Sequence, residues 1–193
     1  MDLDLLSRLR GGDEEAFVTL IARYHQPMLR LARSIVSSEA VAEEAVQDTW
    51  VGVLRGVERF EGRSSFKTWL FRILVNRARS AGAHEERNAP LESPYAVDPT
   101  RFDADGQWAE PVNLWGHESD DRFEAVMWAP ILKAALEELP PRQRVVVILR
   151  DVEGLSSEEV CDTLGISPGN QRILLHRGRS RLREILAADL RND

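Results

Sequence analysis

The chain has 193 residues, a formal net charge of −7, 43% hydrophobic residues and 30% charged residues. This composition is typical of a folded globular protein and excludes a largely disordered chain. A single cysteine, Cys161, excludes an internal disulfide and a zinc site built from several cysteines. Wholly apolar runs such as 145–149 are too short to cross a bilayer, and no signal peptide is visible, so we expect a cytoplasmic protein without membrane insertion.

The first 87 residues show apolar spacing typical of helices. Residues 3–9, 17–35, 40–54 and 66–80 predict four helices, with little β alternation between them. Asp13 is positioned to cap the second helix, and serines precede the third and fourth. The segment is therefore predicted to be a helical bundle.

The stretch 88–124 has a different character. It contains nine acidic and two basic residues, so it carries the whole net charge of −7 and leaves the remainder of the chain balanced. No apolar period holds across its four prolines and five aromatic residues, which predicts a long irregular linker. Neither flanking segment is therefore too acidic to bind nucleic acid.

Helical patterning resumes after the linker, and Pro140–Pro141 interrupts it before another helical stretch. Ser156 and Glu159 have the spacing of a capping box, and Gly165 is expected to end that short helix in a tight turn. Ser167 and Pro168 then suit the start of a longer basic helix. Two helices joined in this way are typical of a helix-turn-helix, and the chain as a whole is predicted to be all-α.

The last helix has one apolar and one basic side. At 100° per residue, its leucines fall on one arc, while Arg172, His176, Arg179 and Arg183 fall nearly opposite. Such a helix suits the major groove of DNA. A solvated basic face is the alternative interpretation of the same pattern.

A second set of polar residues shares a helix face within 66–80. Trp69, Arg72, Asn76 and Arg79 are spaced three, four and three residues apart. An aromatic ring, two cations and an amide on one surface suit stacking and phosphate contact with single-stranded DNA. Core packing is the alternative for Trp69 and the favoured interpretation for Phe66.

These segments resemble a known family. Residues 136–184 look like region 4 of a bacterial RNA polymerase sigma factor, and residues 16–36 and 42–80 look like region 2. The pairing and the length are similar to the extracytoplasmic-function (ECF) group of the sigma-70 family. The resemblance implies region 2 in 1–87, the linker in 88–124 and region 4 in 125–193.

The resemblance also implies three sets of site residues. For the melted −10 promoter element, the residues are Phe60, Arg63, Ser64, Lys67, Trp69, Arg72, Asn76 and Arg79, with Asn76 and the loop 60–68 forming a pocket for a flipped base. For the duplex −35 element, they are Ser156, Asn170, Gln171, Arg172, Ile173, His176, Arg177 and Arg179. For core polymerase, they are Glu43, Glu44, Gln47, Asp48 and Trp50.

The implied function is transcription initiation with core RNA polymerase, through its β′ clamp helices and β flap, and with promoter DNA. An anti-sigma factor is a further partner that the resemblance allows. The alternative is a stand-alone helix-turn-helix regulator, which leaves the basic and aromatic stretch 60–79 without a role. The four histidines lack metal-ligand spacing and no nucleophile motif occurs, so we expect neither an enzyme nor a metal or other cofactor.

The start of the basic helix departs from the family pattern. Residues 169–172 read Gly-Asn-Gln-Arg, where many relatives have Gly-Thr-Val-Lys, and Ile173 follows. The −35 sequence is therefore expected to differ from the common one.

Overall fold

The structure, a computed structural model, describes residues 2–82 and 130–192, with side chains up to residue 188. The predicted linker 88–124 and the predicted domain boundaries lie outside these residues. The chain divides into two compact units. Among the described residues, one unit combines 2–82 with 148–171, and the other combines 130–147 with 172–192.

The four helices predicted in the first part of the chain are confirmed. They are α1 (Asp2–Arg10), α2 (Glu14–Arg33), α3 (Glu39–Gly56) and α4 (Phe66–Gly82), with a single 3₁₀ turn at Val57–Arg59. The Asp13 side chain caps α2 by accepting hydrogen bonds from the backbone N–H groups of Glu15 and Ala16. Ser38 occupies the N-cap position of α3, but its side chain makes no capping hydrogen bond.

The later helices also follow the sequence pattern. They are α5 (residues 130–137), α6 (Pro141–Val147), α7 (Ser157–Leu164) and α8 (Pro168–Asn192), with a π-helical turn at Ile148–Val152 that the sequence analysis did not predict. Both hydrogen bonds of the capping box between Ser156 and Glu159 are present. Gly165 ends α7 at φ +66°, a conformation that glycine adopts without strain. Within 2–82 and 130–192 there is no strand, and the all-α prediction is confirmed.

An aromatic cluster joins α2 and α4 inside the first unit. Phe66 packs edge-to-face against Tyr24, with ring centroids 5.5 Å apart, and also contacts Phe60 and Trp69. Phe66 is 3% exposed, so it is a core residue, as the sequence analysis favoured. The cluster fixes the loop between α3 and α4 against the bundle.

Helix α1 holds the start of that loop. The Arg10 guanidinium donates hydrogen bonds to the carbonyl oxygens of Val57 at 2.9 Å and Phe60 at 2.5 Å. At its other end, Asp2 accepts a hydrogen bond from the Tyr24 hydroxyl at 2.6 Å and forms an ion pair with Arg23. Burial, followed by the contact with Asp2, raises the pKa of Tyr24. The N-terminal helix therefore braces both α2 and the loop.

Helix α7 packs along α4 within the same unit. The start of α7 lies at the start of α4, where Glu159 contacts Thr68, and the end of α7 lies near the end of α4, where Leu164 contacts Arg79. Val160 and Leu164 are buried. The first helix of the predicted helix-turn-helix therefore runs beside the helix predicted to contact the −10 element.

The second unit packs α8 against α6 through a glycine. A Cβ atom at Gly178 would lie 2.7 Å from Cγ2 of Val147, closer than real carbon atoms approach. Val145, Val146 and Leu175 are buried in the same unit. Gly178 therefore allows a close helix contact that another residue would prevent.

Candidate nucleic-acid interface

The start of α4 carries several hydrogen-bond donors. The Ser65 side chain accepts a hydrogen bond from the backbone N–H of Thr68 at 3.1 Å and so caps the helix. Just before it, Ser64 is half-buried, and Arg63 is exposed and forms an ion pair with Glu61. The helix N-terminus also contributes partial positive charge. This end of α4 therefore favours an anionic neighbour.

The face of α4 formed by Trp69, Arg72, Asn76 and Arg79 is called here the α4 face. Arg72, Asn76 and Arg79 are exposed, and Trp69 is half-buried against the rings of Phe60 and Phe66. An amide and two guanidinium groups thus lie beside an aromatic edge on one side of a single helix. That arrangement can contact phosphates and the hydrogen-bonding edge of an unstacked base.

Phe60 does not share this exposure. Its side chain is 7% exposed, and its ring centroid lies 4.9 Å from that of Trp69. A base cannot stack on a ring that neighbouring side chains bury to this extent. In this conformation Phe60 supports the loop from inside, although the sequence analysis placed it among the DNA contacts.

Lys67 points away from the α4 face toward Glu153, the residue that follows the π-helical turn. Its ammonium group donates to the backbone carbonyl of Glu153 at 2.5 Å and lies 3.1 Å from the Glu153 carboxylate. Arg30 forms a second ion pair with the same carboxylate at 2.9 Å. The Glu153 side chain is buried, and the two cations satisfy its charge.

Glu159 occupies the donors at the start of α4. One carboxylate oxygen accepts hydrogen bonds from the hydroxyls of Thr68 at 2.7 Å and Ser65 at 3.0 Å, while the other accepts from the backbone N–H of Ser156. The backbone hydrogen bond from Ser156, followed by the Thr68 hydroxyl, lowers the pKa of the Glu159 carboxyl below its ordinary value. Glu159 is therefore ionised and fully hydrogen-bonded at neutral pH.

The basic helix α8 presents part of the predicted −35 set. Asn170, Arg172 and Ile173 are exposed, and Ile173 lies off the apolar side of the helix as the sequence pattern indicated. The half-buried members are His176, Arg177 and Arg179. Burial, followed by the charge of Arg177, lowers the pKa of His176, so its imidazole is neutral at pH 7.

Two predicted −35 residues have other positions. The Ser156 side chain accepts a hydrogen bond from the backbone N–H of Glu159 at 3.1 Å and so caps α7. Gln171 is 1% exposed, and its amide nitrogen finds no hydrogen-bond partner among the described residues. A buried amide cannot reach a base edge, so a contact from Gln171 to DNA requires a conformation other than this one.

Helix α3 carries the predicted polymerase-binding residues. Glu43, Glu44, Gln47 and Asp48 are exposed, whereas Trp50 is 7% exposed and packs edge-to-face against Phe17 at 5.6 Å. Trp50 is therefore a core residue in this structure, because its ring fills the contact between α2 and α3.

Two apolar residues next to this acidic face were not predicted. Val51 is 43% exposed and Leu54 is 47% exposed, and helical spacing places both on the side of Gln47 and Asp48. Both residues lie outside the buried apolar stripe of α3 that includes Val46 and Val53. Helical spacing in the sequence could therefore have predicted that they are exposed. The exposed face of α3 is therefore both acidic and apolar.

Residues 2–82 and 130–192 contain no group of acidic, histidine and cysteine residues able to hold a metal ion. None of their helices has the length and apolarity needed to cross a bilayer. The helical fold, the helix-turn-helix and the basic surfaces together define an all-α DNA-binding protein.

Comparison with known proteins gives the family. Residues 20–87 match the model for Sigma-70 region 2, and residues 130–182 match that for Sigma-70, region 4. The chain is similar to the RNA polymerase sigma factor CarQ of Myxococcus xanthus, with 37% identity covering 94% of this chain and 95% of the relative. It is also similar to the ECF RNA polymerase sigma-E factor of Salmonella typhimurium strain 14028s, with 29% identity covering 92% of this chain and 90% of the relative.

One solved structure shares the fold and part of the sequence. It is the sigma factor RpoE in complex with the anti-sigma factor NepR from Bartonella quintana, with a TM-score of 0.56, 27% identity and coverage of 90% of this chain and 98% of that one. The chain belongs to the sigma-70 family, in its ECF group. As a sigma factor, it acts with RNA polymerase in promoter-directed transcription initiation, and sigma factors are in general not enzymes.

Proposed function

We propose that the chain contacts the −10 promoter element as melted single strand through α4 and the −35 element as duplex DNA through α8. The exposed Arg72 and Asn76, next to the half-buried Trp69, are the observation that supports this division most strongly. An amide can pair with the edge of an unstacked base, while the guanidinium group binds phosphate. The residues 1–87, 88–124 and 125–193 would act as region 2, linker and region 4.

The −35 contact rests on the start of α8. Arg172 is exposed there, one position before the exposed Ile173. An arginine can donate two hydrogen bonds to a guanine, and an isoleucine can contact a thymine methyl group. These two residue types together support reading of bases in the major groove.

The exposed face of α3 supports binding to core polymerase. Glu44 and Asp48 are like charges one turn apart, which destabilises an isolated helix by about 0.2–0.5 kcal/mol. A basic partner such as the β′ clamp helices would remove that repulsion, and Val51 and Leu54 would add apolar contact. Region 4 would contact the β flap, and the activity would take place in the cytoplasm.

An anti-sigma factor is a further proposed partner. The related sigma factor from Bartonella quintana is seen in complex with one, and the fold is shared over most of both chains. Such a partner would compete with polymerase for region 2 or region 4.

Permanganate footprinting of a matched promoter tests the −10 assignment. Asn76→Ala and Arg72→Ala are expected to reduce promoter melting while leaving binding to core polymerase unchanged. Arg77→Ala is the matched control, because Arg77 is exposed on the same helix but lies about 100° or more around the helix from Arg72, Asn76 and Arg79. Equal melting by all three variants and the wild type would contradict the assignment.

A gel shift separates this function from the alternative of a stand-alone regulator. A regulator binds duplex operator DNA without polymerase, whereas the proposed function requires core polymerase for promoter-specific binding. The basic and aromatic surface of α4 favours the polymerase-dependent function, because a duplex-binding regulator would not use it.

A further inference from the structure

We infer that Arg10 of α1 is a positioning residue for −10 recognition, which acts through the segment 56–60 to set where the Trp69 ring lies on the α4 face. The inference rests on the proposed function, since it takes the α4 face to be the surface that contacts the melted −10 element. Arg10 lies before the segment 20–87 that matches Sigma-70 region 2. The N-terminal helix is therefore part of the −10-binding unit.

The Arg10 guanidinium group holds both ends of the 3₁₀ turn that follows α3. Its Nε donates to the carbonyl oxygen of Val57 at 2.9 Å, and its Nη2 donates to the carbonyl oxygen of Phe60 at 2.5 Å. Within the turn, the backbone N–H of Phe60 donates to the Val57 carbonyl at 3.3 Å, a longer and weaker hydrogen bond. Because a guanidinium group presents its donors in a rigid planar fork, Arg10 fixes the position of the turn on α1.

The Trp69 ring contacts the same segment at both of its ends. A Cβ atom at Gly56 would lie 3.2 Å from Cζ2 of Trp69, so the ring packs directly on the backbone at the end of α3. At the other end of the segment, the ring centroids of Phe60 and Trp69 are 4.9 Å apart. Protein interiors are closely packed, so a shift of the segment 56–60 moves the Trp69 ring or leaves a gap beside it.

The position of this ring matters for the whole α4 face. Arg72 and Asn76 follow Trp69 on the same side of α4, and the helix backbone sets their spacing. The Trp69 side chain can instead adopt other rotamers once its neighbours move. Stacking of a base on an aromatic ring strengthens binding by roughly 5- to 150-fold. A displaced ring therefore loses the stacked base while the cations and the amide remain.

The test measures −10 selectivity in the complex with core polymerase. The probes are two fluorescein-labelled single-stranded oligonucleotides, one with the −10 sequence that the wild-type protein selects from a promoter library and one with the same bases scrambled. Fluorescence anisotropy gives the Kd for each probe, and the ratio of the two Kd values is the selectivity. Loss of folded protein changes both Kd values alike and leaves their ratio unchanged, so the ratio separates positioning from stability.

Arg10→Ala is expected to lower the selectivity by about fivefold or more, which is the lower end of what a stacked base contributes. Arg8→Ala is the control for charge, since it removes the same charge from an exposed position on α1. Val36→Ala is the control for stability, because Val36 is buried beside Gly82, at the opposite end of α4 from Trp69. Both controls should keep the wild-type ratio. An unchanged ratio for Arg10→Ala, or an equal loss in either control, would overturn the inference.

Arg10→Lys replaces Arg10→Ala if circular dichroism shows that the alanine variant is unfolded. Lysine keeps the charge but lacks the guanidinium fork, so it should also lower the selectivity, and a wild-type ratio would overturn the inference. A wild-type protein that selects no −10 sequence removes the proposed function, and the inference with it. A selective wild-type protein together with an equally selective Arg10 variant removes the inference alone.

Discussion

The Arg10 guanidinium donates a hydrogen bond of 2.5 Å to the backbone carbonyl of Phe60, across 50 positions of sequence. A second hydrogen bond, of 2.9 Å, joins the same side chain to the carbonyl of Val57. Helix α1 thus fixes the point at which the chain leaves α3 for the loop that precedes α4. Region 2 depends for this loop on a residue outside the matched 20–87 segment.

Replacement of Arg10 tests this bracing. Arg10→Ala is expected to lower the free energy of unfolding by about 1–2 kcal/mol, because two carbonyl groups lose a charged donor. Arg8→Ala is the control, since the ion pair of Arg8 with Asp13 is exposed to solvent and should contribute little to stability. Urea denaturation measures the free energy of unfolding of both variants. Equal losses would show that the hydrogen bonds of Arg10 to the loop stabilise the fold no more than the exposed ion pair of Arg8 does.

The apolar part of the α3 face gives a second prediction. Leu54→Ser is expected to weaken binding to core polymerase by about tenfold, since burying an exposed leucine in an interface contributes roughly 1.5 kcal/mol or more. Val18→Ser is the matched control, because Val18 is a 63% exposed apolar residue that belongs to α2 and not to α3. Surface plasmon resonance with immobilised core polymerase measures both, and a similar loss for the two variants would argue against a specific interface at Leu54.

Two glycines of α8 should respond oppositely to alanine. Gly178→Ala places a Cβ atom 2.7 Å from Val147, and overpacking of this kind costs about 1–3 kcal/mol of unfolding free energy. Gly169→Ala meets nothing within 4 Å and is expected to stabilise the helix by about 0.5–1 kcal/mol. Thermal unfolding measures the two shifts, and stabilisation by both variants would show that the Gly178 contact is loose.

Stability should depend on pH through Glu159. Its pKa is lowered in the folded state, so its contribution is fully present above the unfolded pKa and is lost as pH falls through the folded value. Urea denaturation at about pH 6 and about pH 3.5 should therefore show a smaller loss of stability for Glu159→Gln than for the wild type. The same pH dependence in both proteins would mean that the carboxylate gains nothing from Ser156 and Thr68.

Local sequence signals predicted the helices well. Ser156, Glu159 and Gly165 identify the limits of α7, because capping and the left-handed turn depend on residues within one helical turn. Ile173 was correctly placed off the apolar side of α8, since the helical period alone decides it.

No local sequence signal predicts which distant segments contact each other. The hydrogen bond between Thr68 and Glu159 joins residues 91 positions apart, and neither residue is unusual in its own helix. Trp50, Phe60 and Gln171 were expected at binding surfaces but are buried, because burial depends on which helices pack together. Aromatic residues and an amide suit either a core or an interface, and composition does not separate the two.

Transcription in vitro from a promoter library randomised at both elements tests the proposed division of promoter recognition most directly. With core polymerase, the wild-type protein should select sequences in two blocks, one near −35 and one near −10. Arg172→Ala should relax selection in the −35 block alone, since a lost bidentate base contact is worth about 1–3 kcal/mol, and Asn76→Ala should relax selection in the −10 block alone. Selection of neither block by the wild type, or the same relaxation in both variants, would contradict the account.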